Sequence, residues 1–161
     1  MKEIAILGRH DVEDLGNTGD FVWHIHQDRP YAYLSISDYP HTKVDSPLIY
    51  NKNCKGYLHM AFIDSEEENY IYKGARSIRD EQAAQIAEFV LSVWPEIELF
   101  IAQCEAGISR SAAVAKAVDE VLNGGQLDIG LPDYEPNILV YKKVKRILSN
   151  PNYFASLNLL R

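Results

Sequence analysis

Cys104 and Arg110 stand in one short run, Gln103-Cys104-Glu105-Ala106-Gly107-Ile108-Ser109-Arg110-Ser111. These residue types at this spacing suit an attack on phosphorus. A free thiol ionises near pH ~8.5, and only the thiolate is a nucleophile. The uncapped N–H groups at a helix N-terminus, with an adjacent guanidinium, favour that anion. Gly107 can take backbone angles closed to other residues, so the N–H groups of residues 105 to 110 can converge on one oxyanion. Arg110 adds a planar fork that matches two phosphate oxygens, which a lysine cannot reproduce. With the ester oxygen pointing outward, the Cys104 sulfur lies in line behind phosphorus and displacement gives a phosphocysteine. The departing oxygen then needs a proton.

For this to work, Cys104 must close a strand and Arg110 must open a helix. An apolar run (Ile97 and Leu99 to Ala102) precedes the loop, and an alanine-rich helical run, Ser111 to Leu122, follows it and stops at Gly124-Gly125. Further strands are expected over residues 3–7, 21–26, 31–37 and 57–63. A helix with Asp80 as N-cap carries the apolar stripe Ala83, Ile86, Ala87, Val90, Val93 and Trp94, and Pro95 ends it. A last helix takes Pro136 at its first position and buries Val140, Tyr141, Val144, Ile147 and Leu148. Its wet face is Lys142, Lys143, Lys145 and Arg146. The stretch from Asp38 to Gly56 reads as irregular surface, with Cys54 an exposed loop thiol. Strands interleaved with helices predict an α/β fold, a central mostly parallel sheet flanked by helices, with the Cys104 loop between strand and helix. Asp64 is the first residue past the 57–63 run, at a sheet end where loops of α/β proteins build their sites.

The 161 residues suffice for one core, so a single domain over 1–161 is expected, and a monomer. A hydrophobic content of 47% with 24% charged residues is that of a folding globular chain. The net charge of −7 argues against nucleic-acid or anionic-membrane binding, which need cations to displace counterions. With neither a long apolar run nor an export signal, a cytoplasmic protein with two reduced thiols, Cys54 and Cys104, is expected. His24 and His26 share a strand face, but spacing suggests no third ligand, so they read as solvent-facing and no metal is expected.

The segment Cys104 to Ser111 resembles the signature loop, Cys-x5-Arg followed by Ser or Thr, of the cysteine-dependent protein phosphatases. It is closest to the compact tyrosine and dual-specificity type of bacteria and their viruses. The likeness extends faintly from Ser35-Ile36-Ser37-Asp38 through Phe62-Ile63-Asp64 to the last helix. It implies cofactor-free, metal-independent hydrolysis of a phosphorylated protein or peptide, with phosphate or another oxyanion held in the loop. Cys104 would be the nucleophile, Glu105, Ala106, Gly107, Ile108, Ser109 and Arg110 the phosphate cradle, and Ser111 the hydroxyl that bonds the sulfur. Asp64 matches the family's general acid, with Asp80 and Glu66 as substitutes. The chain departs from the family at Gln103, where relatives have His. An amide cannot carry charge, so a catalytically weak, phosphopeptide-binding relative is the alternative. A redox pair of Cys54 with Cys104 and a sulfurtransferase are further competitors. Glu105 and the lack of a loop lysine disfavour polyphosphorylated ligands. Lys73, Arg76 and Arg79 read as solvated surface before they read as substrate contacts.

Overall fold

A computed structural model describes residues 1–13, 29–130, 132–150 and 152–153. In chain order the elements are β1 (Glu3–Leu7), α1 (Arg9–Glu13), β2 (Tyr31–Ser37), β3 (Cys54–Ala61), β4 (Ile71–Tyr72), β5 (Ala75–Arg76), α2 (Asp80–Val93), β6 (Leu99–Gln103), α3 (Arg110–Leu122) and α4 (Ile138–Leu148). The main sheet runs β1-β6-β2-β3 with every pairing parallel, and β4 with β5 forms a small antiparallel hairpin. The strand expected over 21–26, with His24 and His26, lies outside the described residues.

The two-residue period of a strand explains the layering. In β2, Ala32, Leu34 and Ile36 face a core shared with Ile86, Val90, Val114, Val118, Val140 and Val144 from α2, α3 and α4. Tyr31 and Tyr33 face the opposite side with Leu99 and Ile101 of β6, covered by Val12 of α1 and by Val44 and Leu48. Because both faces are covered, β2 and β6 are buried at every residue. That is the pattern expected of parallel strands.

Several boundaries differ from the sequence expectation, each for a local reason. Strand β3 begins at Cys54 rather than Tyr57, so Cys54 is a half-buried strand residue and not an exposed loop thiol. Gly56 had suggested a loop. It belongs in the strand because a Cβ there would lie 2.7 Å from Val93 and 3.0 Å from Phe89 of α2. Asp80 is the first residue of α2 and Arg79 its N-cap. The last helix begins two residues beyond Pro136, because the Asn137 side chain accepts from Val140 N and caps it. Lys143, expected on the wet face, is buried alongside Val140 and Val144.

Parallel pairing sends the four carboxyl ends of the sheet to one edge. Leu7 pairs with Gln103, Ser35 with Gln103, and Ser37 with Ala61. The residues just past those ends are Gly8, Asp38, Phe62 to Asp64, and Cys104. Chain segments that are far apart in sequence thus meet where sites in open α/β sheets form.

Candidate active site

The Cys104 loop is clamped from the β1 side. Cys104 N donates to Leu7 O at 3.2 Å and Arg9 N to Glu105 O at 2.9 Å. The Arg9 guanidinium holds the Glu105 carboxylate at 3.0 Å. Gly107 has φ +72°, and a Cβ there would lie 2.5 Å from Gly8 N and 2.6 Å from Leu7 C. Only glycine satisfies both the left-handed backbone and the close approach. From beneath, Gln103 fixes the Cys104 peptide: its Nε2 donates to Cys104 O at 2.9 Å. Its Oε1 accepts from Tyr33 OH at 2.6 Å and from Ser35 Oγ at 2.7 Å. This fully buried amide therefore has partners at both ends without carrying charge.

Cys104 is 2% exposed. Burial alone would push its thiol up, but the surrounding donors outweigh it and the pKa is lowered. They are the Ser111 hydroxyl at 3.1 Å, the Ser111 N–H, the Arg110 charge and the Gly107 N–H. Cys54, by contrast, is raised, because burial outweighs its hydrogen bond to Gly56. In a Cys54→Ser background, thiolate ultraviolet absorbance should therefore titrate with a midpoint below that of a free thiol, ~8.5. Ser111→Ala should move the midpoint upward, since it removes a donor to the anion, and an unmoved midpoint would deny the hydroxyl that role.

Arg110 begins α3 with its side chain 6% exposed. One terminal nitrogen, Nη1, donates to Asp38 Oδ1 and to Phe62 O, both at 2.7 Å. These partners come from the ends of β2 and β3 and fix the plane of the fork. The buried Nε has no acceptor among the described residues. A buried donor without an acceptor is costly unless a ligand supplies one.

Asp64 accepts from Ser109 Oγ at 2.8 Å and from Asn137 Nδ2 at 2.7 Å. Asn137 also donates to Ser65 O, and its backbone N donates to Ser109 O at 3.1 Å. The strand-end carboxylate and the Cys104 loop are thus tied together through the N-cap of α4. Asp64, Arg110 and Glu105 line one open cleft of about 380 Å³ with Asp38, Ile63, Ser65, Tyr70 and Tyr72. Larger cavities lie elsewhere: that of about 750 Å³ around Lys2, Arg29 and Gln126 sits at the amino ends of β1 and β6 and contains none of these groups.

The loop residues divide by what they offer. Gly107 is buried, Ala106 and Ile108 are exposed, Ser109 is turned to Asp64, and Glu105 is held by Arg9. Neither substitute for Asp64 lies in the cleft: Asp80 pairs with Lys143, and Glu66 accepts from Ile138 N. Lys73 lies over the Tyr72 ring, and Arg79 caps α2. Cys54 and Cys104 sit at opposite ends of the sheet. Tyr31 pairs with both Cys54 and Leu99, and Cys104 lies five residues beyond Leu99. At ~3.3 Å per residue this is roughly 16 Å, too far for a bond that needs Cα atoms within about 7 Å. Sequence reasoning missed Asp38 and Asn137. Asparagine is a preferred N-cap type, but Pro136 was the expected first position of the helix, and nothing in the local sequence tied Asn137 to Asp64.

No family model and no curated protein matches the chain. Among solved structures, PTPMT1 matches with a TM-score of 0.53 at 12% identity, covering 98% of this chain and 95% of that one. PTPMT1 in complex with PI(5)P matches with a TM-score of 0.50 at 13% identity, covering 79% and 80%. A mouse putative dual specificity phosphatase complexed with zinc tungstate matches at 17% identity, covering 81% and 72%, with a TM-score of 0.46. The two PTPMT1 structures give this chain the fold of the cysteine-dependent phosphatases.

Proposed function

We propose that this chain is a metal-independent phosphomonoester hydrolase of the tyrosine or dual-specificity type, working through a phosphocysteine. The observation that carries the reading is the pairing of a thiol whose pKa is lowered with a buried guanidinium whose Nε has no acceptor among the described residues. In the first step the Cys104 sulfur forms a bond to phosphorus and the ester P–O bond breaks. The Asp64 carboxyl gives its proton to the departing oxygen. In the second step the Asp64 carboxylate takes a proton from water, the water oxygen bonds to phosphorus, and the S–P bond breaks. The Ser111 hydroxyl bonds the sulfur as it regains its negative charge. Inorganic phosphate leaves.

The substrate is a phosphorylated protein or peptide. One structural neighbour was solved with PI(5)P, but this cleft sets Asp38, Asp64 and Glu105 around a single arginine. That balance suits one phosphate and opposes several. The test is Asp64→Asn on a phosphopeptide, in EDTA. Turnover should fall ~10²- to 10⁴-fold with little change in binding, the usual contribution of a general acid. An unchanged rate would remove Asp64 from the mechanism. A second reading, a phosphopeptide-binding module, is motivated by Gln103 in place of a charged support. Tight phosphopeptide binding without turnover by the unaltered chain would favour it.

A further inference from the structure

Lys143 is a charged residue on the inward face of α4. Its side chain is 6% exposed, while its two partners, Glu68 Oε1 at 2.5 Å and Asp80 Oδ1 at 2.6 Å, are 55% and 62% exposed. A buried ammonium is retained only where paired carboxylates compensate its lost hydration. Asp80 is the first residue of α2. Glu68 belongs to the irregular segment that carries Asp64, which has no regular structure between β3 and β4. The same segment meets α4 at three further points, Asp64 and Ser65 on Asn137 Nδ2 and Glu66 on Ile138 N. Those contacts gather at its first three residues. Lys143–Glu68 is the contact to α4 at its far end, where Tyr70 also exchanges hydrogen bonds with Ser77.

We propose that Lys143 is a positioning residue for the proton donor. Its ion pair with Glu68 latches the 64–68 segment to α4 and keeps the Asp64 carboxyl at Ser109, over the Cys104 loop. Lys143 touches neither substrate nor sulfur and acts only through Glu68. This inference rests on the reading of Asp64 as general acid, and it predicts a selective defect. A leaving group that departs readily without a proton tolerates a loosened donor, whereas a basic one does not.

The experiment compares p-nitrophenyl phosphate with phenyl phosphate in the full chain and in Lys143→Met, Glu68→Gln and Asp80→Asn, alongside hydrogen exchange of the 65–69 amides. Lys143→Met and Glu68→Gln should lower kcat on phenyl phosphate on the order of 10-fold more than on p-nitrophenyl phosphate, a fraction of a donor's full contribution, with KM little changed. Amides 65–69 should exchange faster in both. Asp80→Asn removes the other pairing of Lys143 without touching the segment, and should change neither the leaving-group ratio nor that exchange. If Lys143→Met does not fold, Glu68→Gln carries the test from the exposed partner. Equal losses on both esters, unchanged exchange at 65–69, or an Asp80→Asn variant that behaves like Lys143→Met would overturn the latch. If the unaltered chain hydrolyses neither ester, the hydrolase reading fails instead, and exchange alone then decides whether Lys143 holds the segment.

Discussion

Cys104→Ser should abolish phosphomonoester turnover while leaving oxyanion binding intact. The loop N–H groups, Gly107 against Gly8, and the Arg110 fork do not depend on sulfur for their geometry. The variant should therefore still bind vanadate or a phosphopeptide. What it loses is a nucleophile: the donors that lower the thiol pKa, Ser111 first among them, act on a group that ionises far more readily than an alcohol. A serine hydroxyl starts far higher, and the residue before it is Gln103, an amide that already donates to Cys104 O and accepts from Tyr33 and Ser35 and is no base for its proton. Loss of a covalent nucleophile of this kind costs on the order of 10⁴- to 10⁶-fold in kcat. The check is steady-state hydrolysis of p-nitrophenyl phosphate in EDTA beside calorimetric binding of vanadate. Turnover within tenfold of the unaltered chain would dismiss the phosphocysteine.

The legible part of this protein was the part whose partners are close in sequence. Cys104, Gly107, Arg110 and Ser111 lie within eight residues, so a strand before and a helix after were enough to anticipate their convergence. The place of Asp64 was legible for a different reason: in a parallel sheet the residues beyond each strand share an edge, and although β3 stops at Ala61, two residues short of the expected end, Asp64 still follows it by only three. The neighbours that tune the site were not legible. Arg110 finds Asp38 across 72 positions, Asp64 finds Asn137 across 73, and Lys143 finds Glu68 across 75. The first depends on how α3 meets the end of β2 and the other two on how α4 docks, and periodicity specifies neither. Lys143 shows the failure in one residue. Within Lys142-Lys143-Val144-Lys145-Arg146 its type pointed to solvent, yet its position, with Val140 one turn before it and Ile147 one turn after, put it on the buried stripe. Helical phase prevailed over residue type because two carboxylates waited at the end of its stem. Gln103 was a different case. It departs from the histidine that the resemblance implies; in the structure Tyr33 and Ser35 donate to its Oε1 and its Nε2 donates to Cys104 O. The loop is thus supported without charge, and thiolate stabilisation rests on Ser111, Arg110 and the backbone.

Arg110→Lys tests whether charge alone is enough. The fork divides its donors between two tasks: Nη1 holds Asp38 and Phe62 O, while Nε carries no acceptor among the described residues. A phosphoryl group in the loop would take that second edge, so the side that binds substrate is aimed by the side that binds protein. Lysine keeps the positive charge but brings one nitrogen. It can stay with Asp38 and Phe62 O or turn to the phosphate, and it cannot hold the planar pair of donors that the equatorial oxygens require. An arginine on a transferring phosphoryl group contributes ~10³- to 10⁵-fold, and most of that should be lost in kcat/KM, with vanadate affinity falling as well. Asp38→Asn separates the two tasks. It keeps the phosphate-facing edge and weakens only the aim, so its loss in kcat/KM should be much smaller, with the thiol titration near that of the unaltered chain. A near-normal Arg110→Lys enzyme would mean that a point charge suffices, and the division of labour across the guanidinium would have no catalytic meaning.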